Sequence, residues 1–236
     1  MEAPVRVLFA SDLHAGMLGW QKRVRRLRRL MMAARPDAVV LLGDLLDTRL
    51  ASLPSLLSSL LDPERTIPAY AVRGNHDSGA ISTDEWTQTL RHHDVTDLSN
   101  ASAELASGVR IWGLDDGKRG VPSLNTATHC PSDASGVNLV AVHNPGDLRC
   151  VPAALLEDID IAVAGHTHGG QIRLPFMDGR IRPSGYPSGA MGGLTREHGC
   201  PAYVNRGVGM TGLPFRFRCP PEVVLLEVVP PVRRTP

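Results

Sequence analysis

Short apolar runs alternate with polar, glycine- and proline-rich segments along the whole chain, and their lengths predict strands rather than long helices. The runs are VRVLFA (5–10), AVVLL (38–42), AYAV (69–72), VRIWGL (109–114), NLVAV (138–142), DIAVA (160–164), AYVN (202–205) and VVLLEV (223–228), each short and rich in β-branched or small residues. Several lack the period-2 alternation of a half-solvated strand, which suits strands covered on both faces. Between the first two runs, Val24, Leu27, Met31 and Ala34 recur at three- and four-residue spacing, so one apolar helical face is expected there, closed by Pro36. A second helix is expected at about 52–61, with Leu53, Leu56, Leu57 and Leu60 as its stripe, and a third at about 83–93 with Thr83 as its cap. Early alternation of strand and helix implies parallel βαβ units, and the strand-rich later half adds a second sheet, giving an α/β sandwich in one domain spanning 1–236. Residues 175–201 show no periodicity and are read as a long loop, a candidate substrate-side lid.

Composition narrows this picture. Apolar residues make up 42% of the 236 positions but aromatics only 4%, so the core must be aliphatic, and no apolar run is long enough for a membrane span. The opening MEAPVRVLFASD enters a strand-like run without a basic segment, a long apolar segment or a cleavage site, so a cytoplasmic protein is expected. Cys130, Cys150, Cys200 and Cys219 stand far apart with no CxxC pair, which predicts reduced thiols and neither a zinc ribbon nor a dithiol centre. Net charge is only +1, yet KRVRRLRR at 22–29 carries six cations. A solvated helix face is the expected reading; the alternative is peripheral docking on the anionic inner face of a membrane. No aromatic residues interleave with these cations, which disfavours nucleic acid.

The strand ends carry the chemistry. The first predicted strand ends in Ser11-Asp12-Leu13-His14, the second in Gly43-Asp44, the third in Gly74-Asn75-His76-Asp77, the fifth in His143-Asn144-Pro145 and the sixth in Gly165-His166-Thr167-His168. In open α/β sheets, sites gather beyond the carboxyl ends of strands. In extended backbone, residues two apart point the same way, so Asp12 with His14, and His166 with His168, can each aim at one locus. Imidazole mixed with carboxylate suits divalent cations of intermediate softness. Seven such side chains are too many for one ion; with one carboxylate shared they fit two, roughly 4 Å apart, the spacing used for in-line phosphoryl displacement. Gly43, Gly74 and Gly165 each precede a ligand where the backbone must turn closely.

This ordered set of DxH, GD, GNHD, H and GHTH resembles the calcineurin-like metallophosphoesterases. The tail, GHTHGGQIRLP followed by YVNRGVGMTGLPFRFRCPPEVVLLEV, is similar to the bacterial membrane-associated phosphodiesterase branch, which includes a UDP-2,3-diacylglucosamine pyrophosphatase. The resemblance implies a four-layer αββα sandwich of two mixed sheets flanked by helices. It also implies two divalent ions, Mn first and Fe, Zn or Mg as alternatives. Asp12, His14, Asp44 and His168 would hold one ion, and Asp44, Asn75, His143 and His166 the other, with a bridging hydroxide attacking a phosphodiester or pyrophosphate. His76 would act at the leaving oxygen, Asp77 would orient His76, and Asn75 would also touch substrate. Read from the residues themselves, Arg206 in the glycine-flanked Asn205-Arg206-Gly207 is a candidate contact for a substrate phosphate through its fork of donors. A phosphomonoesterase or a cyclic-nucleotide phosphodiesterase shares the same ligands, and leaving-group contacts decide between them.

A non-catalytic scaffold is the reading from another class, and it is disfavoured because all seven ligands and His76 are present. Elsewhere the plainer readings stand. His92 and His93 belong to a solvated helix face, His129 and His198 to loops, Asp115-Asp116 to a solvated turn rather than a third metal position, and Trp86 and Trp112 to the packed interior. Oligomeric state is not written in the sequence.

Overall fold

The computed structural model describes residues 3–47, 50–61, 64, 66–106, 108–124, 136–175 and 191–229. Its strands are β1 (Val5–Ala10), β2 (Ala38–Leu41), β3 (Ala69–Ala71), β4 (Val95–Asp97), β5 (Ser102–Ala106), β6 (Val109–Gly113), β7 (Val137–Val142), β8 (Ile161–Ala164), β9 (Gly193–Glu197), β10 (Cys200–Val204) and β11 (Val224–Val228). They form two mixed sheets, β11-β1-β2-β3-β4 and β5-β6-β7-β8-β10-β9. In the first, β1 to β4 are parallel and β11 is antiparallel to β1; in the second, β6, β7, β8 and β10 are parallel, with β5 and β9 antiparallel at the edges.

The continuous apolar runs are explained by burial of both faces. Along β1, Val5, Val7 and Phe9 point into the space between the sheets with Val40, Tyr70, Ile111, Leu139 and Val163. Leu8 and Ala10 point the other way, against helices α1 (Trp20–Ala34), α2 (Leu53–Leu60) and α4 (Thr83–His92), which contribute Val24, Leu27, Met31, Leu53, Leu56, Leu57, Leu60, Trp86 and Leu90. The second sheet's outer face, with Trp112, Val140 and Ala162, is covered by a 3₁₀ turn (Pro145–Cys150) and α5 (Ala153–Leu156) through Leu148, Val151 and Leu155. The result is the expected four-layer order of helices, sheet, sheet and helices, with apolar burial in all three interlayer spaces as the stabilising term.

Several local expectations change. Helix α4 is capped by Ser82, whose hydroxyl accepts from Glu85 N–H at 3.1 Å. Thr83 instead accepts from Arg73 Nη1 at 2.7 Å. A further helix, α3 (Asn75–Ala80), begins inside GNHD itself. The expected loop at 175–201 contains β9 and the start of β10; residues 176–190 lie outside the described residues. In α1, Lys22, Arg25, Arg26 and Arg29 face solvent while Val24, Leu27 and Met31 are buried. Among the described residues no helix is long and apolar enough to cross a membrane. Cys200 and Cys219 are buried free thiols, Cys150 is an exposed one, and Cys130 and His129 lie outside the described residues. Trp86 and Trp112 are buried as expected.

Candidate metal centre

The carboxyl ends of β1, β2, β3, β7 and β8 meet at one place because the parallel halves of both sheets run the same way. The junction is direct: both Asp12 carboxylate oxygens, just after β1, accept from the His166 N–H, just after β8, at 3.1 Å. Across the same seam, His143 Nδ1 lies 2.9 Å from Leu42 O.

Two buried clusters of ligand atoms result, Asp12, His14 and His168 in one and Asp44, His143 and His166 in the other; a third, half-buried group, His14 with Asp47 and His76, adjoins the first. His14 Nε2 and His168 Nε2 are 3.0 Å apart, and His168 Nε2 is 3.5 Å from Asp12 Oδ1. In the second cluster, His166 Nδ1 is 3.1 Å from His143 Nε2. Asp44 connects the two: its Oδ2 is 3.3 Å from His143 Nε2 and 3.7 Å from His14 Nε2, while its Oδ1 accepts from the His76 N–H at 2.8 Å.

The outer ring atoms are already used. His14 Nδ1 donates to Asp47 Oδ1 at 2.8 Å and His143 Nδ1 to Leu42 O, so each offers the lone pair on Nε2 to the centre. Lone-pair nitrogens converging on carboxylates are an arrangement that a divalent cation satisfies. A further observation fits the same ligand set: the buried Asn75 Oδ1 has no hydrogen-bond partner, and a buried carbonyl oxygen left so costs about 1–3 kcal/mol unless something binds it. The backbone is also held unusually. Asp12, His14, Asp44, His166 and His168 all have positive φ, between 45° and 70°, a conformation that costs non-glycine residues of order 1–3 kcal/mol each and collects at functional sites. Gly74 is needed beside them, since a Cβ there would run into the Asp44 backbone and carboxylate.

Electrostatics follow from this crowding. Burial alone would raise the Asp44 carboxyl, but His143, His14 and His76 around it hold it well below the usual range. Burial likewise opposes the charged form of His143, yet without a cation Asp44 and Asp12 raise that imidazole to about 10, so an ion taking its Nε2 lone pair displaces a proton. His166, buried and beside His143 and Lys118, is pushed down to about 2 and stays neutral, as a ligand must.

Four residues depart from expectation or were missed. Asp77 does not face His76: its Oδ1 accepts from Leu46 N–H at 2.8 Å and its Oδ2 from Gly74 N–H at 3.0 Å, which ties α3 to the β2 end. Burial, then Asp44, pushes its carboxyl up to about 7. The carboxylate near His76 is Asp47, 3.5 Å from Nδ1, and Asp47 follows Asp44 by three residues in GDLLD. Arg206, expected at a substrate phosphate, is paired through Nε and Nη2 with Glu222. Arg216, not singled out by the sequence, lies half-buried behind His168, with Nη2 3.3 Å from His168 Nδ1 and 2.8 Å from Arg206 O. Because Asp47 fixes the His14 tautomer, Asp47→Ala is expected to weaken metal affinity about 10- to 100-fold. Equilibrium dialysis against graded Mn checks this, and an unchanged affinity would remove Asp47 from the centre.

Comparisons with known proteins agree with this geometry. The family model described as calcineurin-like phosphoesterase matches residues 5–170. The chain is 31% identical over 237 residues to phosphodiesterase YaeI of Escherichia coli, covering 96% of this chain and 83% of the relative. It is 33% identical over 236 residues to the uncharacterized metallophosphoesterase YkuE of Bacillus subtilis, covering 94% and 78% respectively. In fold it is similar to a dimetal phosphatase from Danio rerio, with TM-score 0.56 at 13% identity over 88% of each chain, and to TT1561 of Thermus thermophilus, with TM-score 0.54 at 12% identity over 86% of this chain and 90% of that one. With the motifs in order, the ligand atoms converged and two thirds of the chain matched by the family model, the conclusion is that this protein belongs to the calcineurin-like phosphoesterase family.

Proposed function

We propose that this phosphoesterase hydrolyses a phosphodiester or pyrophosphate bond with two divalent ions, Mn first and Fe, Zn or Mg as alternatives. One would be held by Asp12, His14, Asp44 and His168, the other by Asp44, Asn75, His143 and His166. The observation that carries this reading is the position of Asp44 Oδ2 within 3.3 Å and 3.7 Å of a nitrogen from each cluster. Such a pair, when bound, supplies positive charge to phosphoryl oxygens and eases proton loss from water.

The chain's own residues do the rest. Asn75 Oδ1, buried and unpartnered, is placed to complete the second ligand set. His76 stands at the rim, its side chain 35% exposed and its ring edge-on to His14 at 4.8 Å, so it can reach a leaving group that the buried histidines cannot. Its task is to give a proton or hydrogen bond to the leaving oxygen, with Asp47 on the Nδ1 side to orient the ring. Arg206, held by Glu222, has no part in this scheme.

The test is turnover of bis(p-nitrophenyl) phosphate, p-nitrophenyl phosphate and a nucleotide sugar by the Mn-loaded chain. The expected result is hydrolysis of the diester or pyrophosphate above that of the monoester, abolished by chelation and restored by Mn. Preference for the monoester would replace this reading with a phosphomonoesterase. No turnover with any of the four metals would refute it.

A further inference from the structure

Five of the parallel strands deliver candidate ligands to this centre. Another, β6, runs into residues 115–120, and the structure shows this turn to be built to one shape rather than left to solvent. Asp115 Oδ1 accepts from Asp116 N–H at 2.9 Å and its Oδ2 from Val121 N–H at 3.1 Å. Asp116 Oδ2 accepts from Arg119 N–H at 2.8 Å, and Asp147 Oδ2, on the 3₁₀ turn just beyond His143, accepts from Gly117 N–H at 2.8 Å. A Cβ on Gly117 would run into the Asp147 carboxylate. Three carboxylates spent on backbone amides fix a short loop firmly. Lys118 is the side chain this loop presents, and its Nζ lies 3.2 Å from His166 Nε2.

The chemistry of that contact points to a ligand. His166 turns Nδ1 toward His143 and Asp44, so when Nδ1 serves a cation the neutral ring carries its proton on Nε2. Nε2–H and the Lys118 ammonium are then two donors 3.2 Å apart with no acceptor between them, and an anionic oxygen that meets both would accept from both. Arg216 stands in the same relation to His168 Nδ1, but its guanidinium is committed to the carbonyls of Gly209, His168 and Arg206. Lys118 is exposed and its Nζ meets His166 Nε2, so its charge can turn to an incoming group.

We propose that Lys118 is a substrate-binding residue that donates to a phosphoryl oxygen over the His143 and His166 side of the centre. The inference rests on the metal reading above and adds the residue that grips the substrate's phosphoryl group. The test measures Mn content and calorimetric binding of inorganic phosphate for the Mn-loaded wild type, Lys118→Ala, Lys118→Arg and Arg119→Ala. Lys118→Ala is expected to keep its Mn and bind phosphate about tenfold or more weakly, with Lys118→Arg recovering part of the loss. Arg119→Ala should lose less than about twofold, as an exposed neighbouring charge does. Wild-type phosphate affinity in Lys118→Ala would overturn the assignment, as would an equal loss in Arg119→Ala, which would make the effect a diffuse field. Loss of Mn from Lys118→Ala would overturn it too, making the residue a support for His166. A wild type that takes up no Mn fails before phosphate is added, and it removes the metal reading together with this inference.

Discussion

Asp44→Asn is expected to lose tight binding at both ion positions together and to lower kcat/KM by at least about 10²-fold, the scale of losing one electrostatic contact at a reacting centre. The reason lies in how its two oxygens are divided. Oδ2 faces His143 and His14, while Oδ1 accepts from the His76 N–H that opens α3. An amide has one acceptor and one donor end. With its oxygen toward the ions, its NH₂ opposes the His76 N–H; turned the other way, its NH₂ opposes the cations. Either orientation leaves one contact broken in a buried place. Metal analysis after gel filtration is the check, and a variant retaining both ions with unchanged kcat/KM would show that Asp44 is not shared.

His76→Ala is the counterpart, expected to leave the ions in place and lower kcat by about 10²- to 10⁴-fold, the usual contribution of a positioned proton donor. His76 is partly exposed at the rim, while the ligand atoms are buried, and Asp44 already satisfies its backbone N–H. Alanine keeps that backbone bond, so the ligand set should stand. A good leaving group needs less help from an acid, so p-nitrophenyl esters should show a smaller loss than an alkyl ester. Equal losses on both, or loss of metal, would remove the assigned role.

The ligands were legible in the sequence because each stands at the end of an apolar run, where a parallel sheet must place it. Pairing within the site was less so. His76 and Asp77 are neighbours in the chain, which suggested that one orients the other. Both lie on α3, where adjacent residues point about 100° apart, so Asp77 turns inward to the Leu46 and Gly74 amides and His76 turns to the rim. Asp47 meets His14 from the neighbouring strand end of the first sheet, and Lys118 meets His166 from two strands away in the second, contacts set by strand order rather than by a local pattern. Arg206 looked available beside glycines, but Glu222, sixteen residues on, takes its guanidinium. For the fold, the strands that escaped the pattern are β4, β5 and β9, and each is an edge strand. VTD, SAELA and GLTRE bury few side chains, so their hydrophobic signal is weak where only one neighbour needs to be matched.

The most direct test is electron paramagnetic resonance of the chain titrated with Mn. Two ions sharing the Asp44 carboxylate predict saturation at two Mn per chain and an exchange-coupled multiline spectrum that Asp44→Asn abolishes. Saturation at one ion, or only the six-line signal of isolated Mn at full loading, would contradict the shared centre.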